Sequence, residues 1–152
     1  MKISRTLPQF RHDSALLAVT AKHEAEFYLV HGGNISKTAQ IIIPRTQYSD
    51  REDYEAKGGL VFESGARIDK ESKLILRSLI QEFTKKSREL IQTNGIGSIY
   101  LFVPKYLGNI VMQALPKAGQ AMTFVIDGNY FKRHPVELLR KIQNKYPASF
   151  KA

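Results

Sequence analysis

SIYLFVPKYLGNIVMQALPKAGQAMTFVI, residues 98–126, is the stretch that decides the fold class. Residues 98–103 form an apolar run of strand length that ends at Pro104, and residues 122–126 form a second such run. Between them, GNIVMQAL has the composition of a short helix. Because a helix that joins two strands of one sheet brings them parallel, this stretch predicts a parallel pair.

The N-terminal half predicts a different kind of strand pairing. Residues 15–21 are continuously apolar, residues 25–31 are aromatic and β-branched, and ISKTAQIII follows a Gly-Gly-Asn turn and ends at Pro44. These three runs indicate an antiparallel meander, preceded by an extended arm at residues 1–14. Residues 15–152 therefore predict one domain.

A long polar segment, DREDYEAKGGLVFESGARIDKES at residues 50–72, separates the meander from the longest helix. We expect a loop to about Asp69, which then caps the helix. The apolar face of this helix is marked by steps of three, four and seven through Leu76, Leu79, Ile80, Phe83, Leu90 and Ile91. The opposite face carries Lys73, Arg77, Lys85 and Arg88.

The complete order is β-β-β-loop-α-β-α-β-α, with a last helix that opens at Pro135 and that we expect His134 to cap. This order predicts an α/β fold with a single mixed sheet flanked by helices. Ligands of such sheets bind near the carboxyl ends of parallel strands, which here lead into PKYLG and DGNYFKR. Lys105 could meet a phosphate there while Tyr106 stacks on a base, or Tyr106 could pack over a solvated turn.

Composition narrows the class of partner. The 152-residue chain has no cysteine, no apolar run long enough to span a membrane and no secretory signal, so we expect a cytoplasmic protein. Its net charge of +9 favours nucleic acid, the ribosome or anionic lipid, although a simply basic soluble protein would show the same excess. Six Lys or Arg residues stand against Glu137 alone at residues 130–152.

No catalytic or cofactor motif is present. The four histidines lack metal-ligand spacing, no G-x-S-x-G elbow occurs, and Gly58-Gly59 lacks the remainder of a phosphate-binding loop. A metal-dependent nuclease would gather several carboxylates, whereas the first strand has none and only Asp127 follows a strand. The sequence therefore predicts no metal, no cofactor and no catalytic residue.

Three stretches resemble the bacterial host-attachment protein family, whose members are similar to the middle domain of class I release factors and Pelota. They are DREDYEAKGGLVFESGA, LFVPKYLGNIVMQAL and FKRHPVELLRKI. The resemblance implies a ribonuclease-H-like fold and a place in translation. It also places Gly58, Gly59 and Leu60 where release factors carry Gly-Gly-Gln. Since Leu60 has no side-chain amide to position water, this departure disfavours ester hydrolysis.

The leading hypothesis is a non-enzymatic protein that binds RNA or the ribosome. The alternative is a peptidyl-tRNA ester hydrolase that acts through the backbone of residues 58–60. The expected loop contacts are Lys57, Gly58, Gly59, Leu60 and Arg67. The expected nucleic-acid contacts are Arg77, Lys105, Tyr106, Lys132, Arg133, Arg140 and Lys141.

Overall fold

The computed structural model describes residues 1–44 and 61–147, and for residues 61–71 it describes the backbone only. In chain order the elements are β1 Ser14–Thr20, β2 Glu24–His31, β3 Asn34–Ile42, α1 Val61–Asn94, β4 Ile96–Val103, a 3-10 turn Lys105–Leu107, α2 Gly108–Ala114, α3 Lys117–Ala121, β5 Thr123–Asp127 and α4 Pro135–Lys145.

The five strands form one mixed sheet in the order β3-β2-β1-β4-β5. β2 is antiparallel to both β1 and β3, whereas β4 is parallel to both β1 and β5. The predicted meander, the parallel pair and the mixed α/β class are therefore confirmed. β1 lies at the centre of the sheet and is buried on both sides, which explains why its sequence is continuously apolar instead of alternating.

Helices α1 and α2 cover one face of the sheet. Leu79 and Phe83 of α1 pack with Leu16 of β1 in this layer, and the Phe83 ring lies 5.3 Å from that of Phe27. Gly119 lets α3 approach both α1 and β4 closely, because a Cβ there would lie 3.2 Å from the Cδ1 atoms of Ile91 and Ile99.

Helix α4 and the N-terminal arm cover the opposite face. Leu138, Leu139 and Ile142 pack on this side with Leu17 of β1, together with Ile3 and Leu7 of the arm. The arm reaches the start of β3, the outermost strand, where Lys2 forms an isolated bridge with Asn34. It is also joined to α4, since the Gln143 side-chain amide donates to the Thr6 carbonyl at 2.7 Å.

Two sequence predictions about helices were wrong. The long helix begins at Val61 instead of after Asp69, so Arg67 lies on the helix backbone and not in a loop. Glu63, Ala66 and Arg67 favour a helix, and the single Gly65 costs only about 1 kcal/mol, which the rest of a 34-residue helix can offset. Helix α3 was not predicted because five residues are too few to show a periodicity.

A polar cluster is buried in the sheet on the α4 side. Glu26 of β2 is only 5% exposed, and its carboxylate accepts from the Tyr28 hydroxyl at 3.0 Å and from Lys37 Nζ at 3.2 Å. Burial raises the pKa of Tyr28 to about 12, and the hydrogen bond to Glu26 and its negative charge add to the shift. The Tyr28 hydroxyl therefore stays protonated and compensates the buried carboxylate.

The raised pKa of Tyr28 predicts a loss of stability in alkali. The folded-state pKa lies above the unfolded value of 10.0, so the contribution is complete below pH 10 and is lost as the pH rises toward 12. We expect the unfolding free energy of the wild type to fall more steeply there than that of Tyr28→Phe, by up to about 1.4 kcal/mol per pH unit. Urea unfolding of both proteins between pH 9 and pH 11 measures this, and parallel decreases would contradict it.

Candidate nucleic-acid interface

The parallel strands bring two basic segments to one end of the sheet. This end, where β1, β4 and β5 have their carboxyl ends, is called the edge from here on. Val103, the last residue of β4, is the register partner of Asp127, the last residue of β5. The Gly128 N–H then donates to the Val103 carbonyl at 3.0 Å, so the chain remains beside β4 as it leaves β5. The turn at 105–107 and the segment at 128–134, which we call the β5 loop, consequently start side by side.

The turn after β4 presents a lysine and a tyrosine to solvent. The Leu107 N–H donates to the Pro104 carbonyl at 2.9 Å, and the Leu107 side chain is buried beneath the turn. This anchor leaves Lys105 exposed and Tyr106 67% exposed, which excludes the alternative that Tyr106 packs over the turn. Tyr106 is therefore an open aromatic surface on a short, well-anchored turn.

The β5 loop is held in an unusual backbone conformation. Gly128 has a φ of 138°, and a Cβ there would lie 2.6 Å from the ring of Tyr130, which packs edge-on against Phe102 at 5.3 Å. The Arg133 N–H donates to the Tyr130 carbonyl at 3.1 Å, closing a turn in which Lys132 has a φ of 64°. This left-handed conformation costs a non-glycine residue about 1 kcal/mol or more, so packing around Tyr130 must maintain it.

The charges of this edge are only partly compensated. Arg133 lies 3.5 Å from Glu137 in an exposed ion pair, and Asp127 adds a second carboxylate. Lys105 and Lys132 form no ion pair with any residue that the structure describes, although Lys132 Nζ lies 5.8 Å from the centre of the Phe131 ring. Two lysines are thus free to contact an anion.

A further lysine at this edge was missed by the sequence prediction. Lys22 is exposed directly after β1, whose carboxyl end lies at the same edge because β1 is parallel to β4. Only the strand order places Lys22 near Lys105, because the two residues are far apart in sequence. The pairing of β1 with β4 cannot be recognised from either segment alone.

Helix α4 continues the basic surface away from the edge. The Val136 N–H donates to His134 Nδ1 at 3.1 Å, so His134 caps the helix and Pro135 occupies its first turn, as predicted. Because Leu138, Leu139 and Ile142 face the sheet, Arg140 and Lys141 lie on the exposed side of α4.

The other predicted contacts lie elsewhere. Arg77 is exposed on α1, which covers the face of the sheet opposite α4, so it is not part of the same surface. Lys57, Gly58, Gly59 and Leu60 lie outside the described residues, and Arg67 is described by its backbone alone. The edge therefore brings together Lys105, Tyr106, Lys132 and Arg133, with α4 adjoining, out of the predicted set.

The described ranges 1–44 and 61–147 hold no group of three or more His, Asp or Glu side chains that could bind a metal ion. Among the same residues, no helix is both long enough and apolar enough to cross a membrane.

Comparison with known proteins gives structural neighbours only. No family model matches the chain, and no curated protein is similar to it. The chain is similar in structure to an archaeal translation termination factor, aRF1, with a TM-score of 0.43 and 10% identity over 90% of this chain and 39% of that one. A structure described as an archaeal protein has a TM-score of 0.46 and 8% identity over the same shares of the two chains.

A third neighbour is a PilM-PilN type IV pilus biogenesis complex, with a TM-score of 0.42 and 13% identity over 93% of this chain and 44% of that one. The chain thus spans less than half the length of each of these neighbours. The resemblance to host-attachment proteins consequently rests on the three sequence stretches alone.

The packing of the β5 loop predicts a large effect for Gly128→Ala. The new methyl group would displace the Tyr130 ring, so we expect a loss of about 1–3 kcal/mol in unfolding free energy. Gly32→Ala reports the strain of a left-handed backbone alone, since Gly32 has a φ of 55° and no atom within 4 Å of the added Cβ. The φ of 138° at Gly128 adds its own strain, so the clash is isolated by making Gly128→Ala in a Tyr130→Ala background as well. Urea unfolding measures the losses, and an equal loss in the two backgrounds would show that the Tyr130 ring is not displaced.

Proposed function

We propose that this protein is a non-enzymatic RNA- or ribosome-binding protein associated with translation. The observation that carries the proposal is the placement of Tyr106, with Lys105 beside it, next to a second loop that bears Lys132 and Arg133. Exposed aromatic rings interleaved with cations are the combination by which proteins hold unpaired nucleic acid.

Each group at the edge supports a distinct contact. The exposed ring of Tyr106 offers a face on which one base can stack, an interaction worth about 1–3 kcal/mol. Among the described residues, Lys105 and Lys132 have no ion-pair partner and can contact phosphate oxygens. In the same part of the chain, the Arg133 side chain is held only by an exposed pair with Glu137, and such pairs contribute so little that a phosphate can replace the carboxylate.

Helix α4 would extend the contact along the strand. Its 11 residues span roughly 16 Å, and Arg140 and Lys141 occupy its exposed side after the β5 loop. The net charge of +9 acts in the same direction, because it raises the local concentration of a polyanion around the whole protein.

The association with translation is supported by where the resembling stretches lie. LFVPKYLGNIVMQAL contains the carboxyl end of β4 and the turn with Tyr106, and FKRHPVELLRKI contains Lys132, Arg133 and most of α4. Two of the three stretches that resemble the host-attachment family therefore build the candidate interface. The hydrolase alternative depends on residues 58–60, which lie outside the described part of the chain.

Removing the edge charges should weaken RNA binding and its salt dependence together. We expect the edge variant, which combines Lys105→Gln, Lys132→Gln and Arg133→Gln, to reduce the slope of log K against log salt by about 2, because up to three phosphate contacts are lost. The distal control combines Lys2→Gln, Arg11→Gln and Lys117→Gln, which remove the same charge from exposed positions of the arm and α3. Fluorescence anisotropy with a single-stranded RNA measures the slope.

Equal slopes for the edge variant and the distal control would contradict an interface at this edge. A wild-type protein that neither sediments with ribosomes nor shifts tRNA at low salt would contradict the proposed function itself.

Replacing Tyr106 separates stacking from charge. We expect Tyr106→Ala to weaken binding of single-stranded RNA by about 5- to 150-fold, the equivalent of one stacked base, with an unchanged salt slope. Tyr106→Phe keeps the aromatic face and should bind within about twofold of the wild type. Equal losses in the two variants would instead assign the effect to the hydroxyl group.

A further inference from the structure

Helix α1 carries a polar stripe on the side that faces away from the sheet. Ile75, Leu79 and Phe83 face the core, and positions about two residues further along point in the opposite direction at 3.6 residues per turn. Five exposed side chains occupy those positions, and we name them the α1 stripe: Arg77, Gln81, Lys85, Arg88 and Gln92. Lys73, also exposed, lies one turn before the stripe.

The α1 stripe holds three cations and no acid. Two carboxylates of α1 lie beside the stripe and partly balance Lys85: Glu82 is three residues before it and Glu89 four residues after it, and Glu89 is engaged by Lys86 at 3.2 Å. Within the described ranges, Arg77, Lys85 and Arg88 form no ion pair. They are therefore available to an external anion.

Like charges along the stripe are unfavourable for the helix itself. Lys85 and Arg88 are three residues apart, and Lys73 and Arg77 are four apart, so both pairs are neighbours on the helix surface. Each such pair destabilises a helix by a few tenths of a kcal/mol. An acid at one position of each pair would reverse the sign, and a polyanion bound along the stripe offsets the repulsion in the same way.

The same surface of α1 also offers hydrogen-bonding side chains. Gln81 and Gln92 lie in the stripe with Lys85 and Arg88, and Thr84 lies beside them. Glu89 and Thr93 adjoin them, and the Thr93 hydroxyl already donates to the Glu89 carbonyl at 2.7 Å. Amide groups next to cations suit the sugar and phosphate oxygens of a nucleic-acid backbone.

The stripe differs from the edge interface because it has no aromatic residue. It therefore offers no surface on which an unpaired base could stack, and it suits a partner whose bases are already stacked in a duplex. From Arg77 to Gln92 the helix extends roughly 22 Å, enough to follow several phosphates. Base-paired RNA is recognised largely through its backbone and its shape.

We propose that the α1 stripe binds the phosphate backbone of a base-paired RNA stem. This inference rests on the proposed function and adds a second surface to it. The edge with Tyr106 takes an unpaired segment, and the stripe takes a neighbouring stem. The two surfaces lie apart, since α1 covers the face of the sheet opposite α4.

The test uses three RNA probes and three variants of the full chain. The probes are a short hairpin with a blunt stem, an unpaired strand, and the same hairpin with that strand as a 3′ tail. The stripe variant combines Arg77→Gln, Lys85→Gln and Arg88→Gln, which keeps a good helix former at each position. It is compared with the edge variant and with the distal control, which carry the same change in charge.

We expect the stripe variant to bind the blunt hairpin about tenfold or more weakly at low salt, with a salt slope reduced by about 2. Its binding of the unpaired strand should remain within about twofold of the distal control. The edge variant should show the reverse preference, and the tailed hairpin should lose affinity in both. Circular dichroism and thermal unfolding of each variant establish that the proteins are folded.

Two results would overturn the inference while leaving the proposed function intact. One is a stripe variant that binds the blunt hairpin as the distal control does, and the other is equal weakening toward all three probes. A wild-type protein that binds none of the probes and does not sediment with ribosomes would overturn both proposals.

Discussion

The parallel pairing of β4 with β1 on one side and β5 on the other is the constraint on which the structure depends. A parallel strand must be reached by a crossover, so α1 has to traverse one face before β4 and α2 and α3 follow before β5. The sheet then has two apolar faces, which are covered by α1 and α2 on one side and by α4 with the N-terminal arm on the other. The same pairing collects the ends of β1, β4 and β5 at one edge.

At that edge, packed side chains anchor two segments that also carry exposed side chains. Leu107 anchors one segment and Tyr130 the other, while Lys105, Tyr106 and Lys132 are left for solvent or a partner. The left-handed backbone of Lys132 is unfavourable by itself, so the packing of the loop has to hold it in this conformation. The α1 stripe presents charge differently, on a regular helix without an aromatic ring. The two surfaces therefore suit different conformations of one polyanion.

Much of this could be predicted from local sequence. The alternation of strand and helix after residue 96, the hairpin at Gly32-Gly33 and the cap at His134-Pro135 are short-range patterns, and each was found where expected. The start of α1 was misplaced because the mixed segment VFESGARID at 61–69, interrupted by Gly65, suits a loop or a helix equally until the helix that follows propagates into it. Glu26 gave no signal of burial: Tyr28 lies two residues away on the same strand, but Lys37 becomes a neighbour only through the pairing of β2 with β3.

The sequence by itself determined the fold class and the two segments that follow β4 and β5, because periodicity and turn residues are encoded within a few positions. Only the tertiary structure decided which cations share a surface. The strand order joined Lys22 to the edge, and the two faces of the sheet separated Arg77 from Arg140 and Lys141. Proximity between residues distant along the chain is set by strand pairing and layer packing, and neither is written in any one segment.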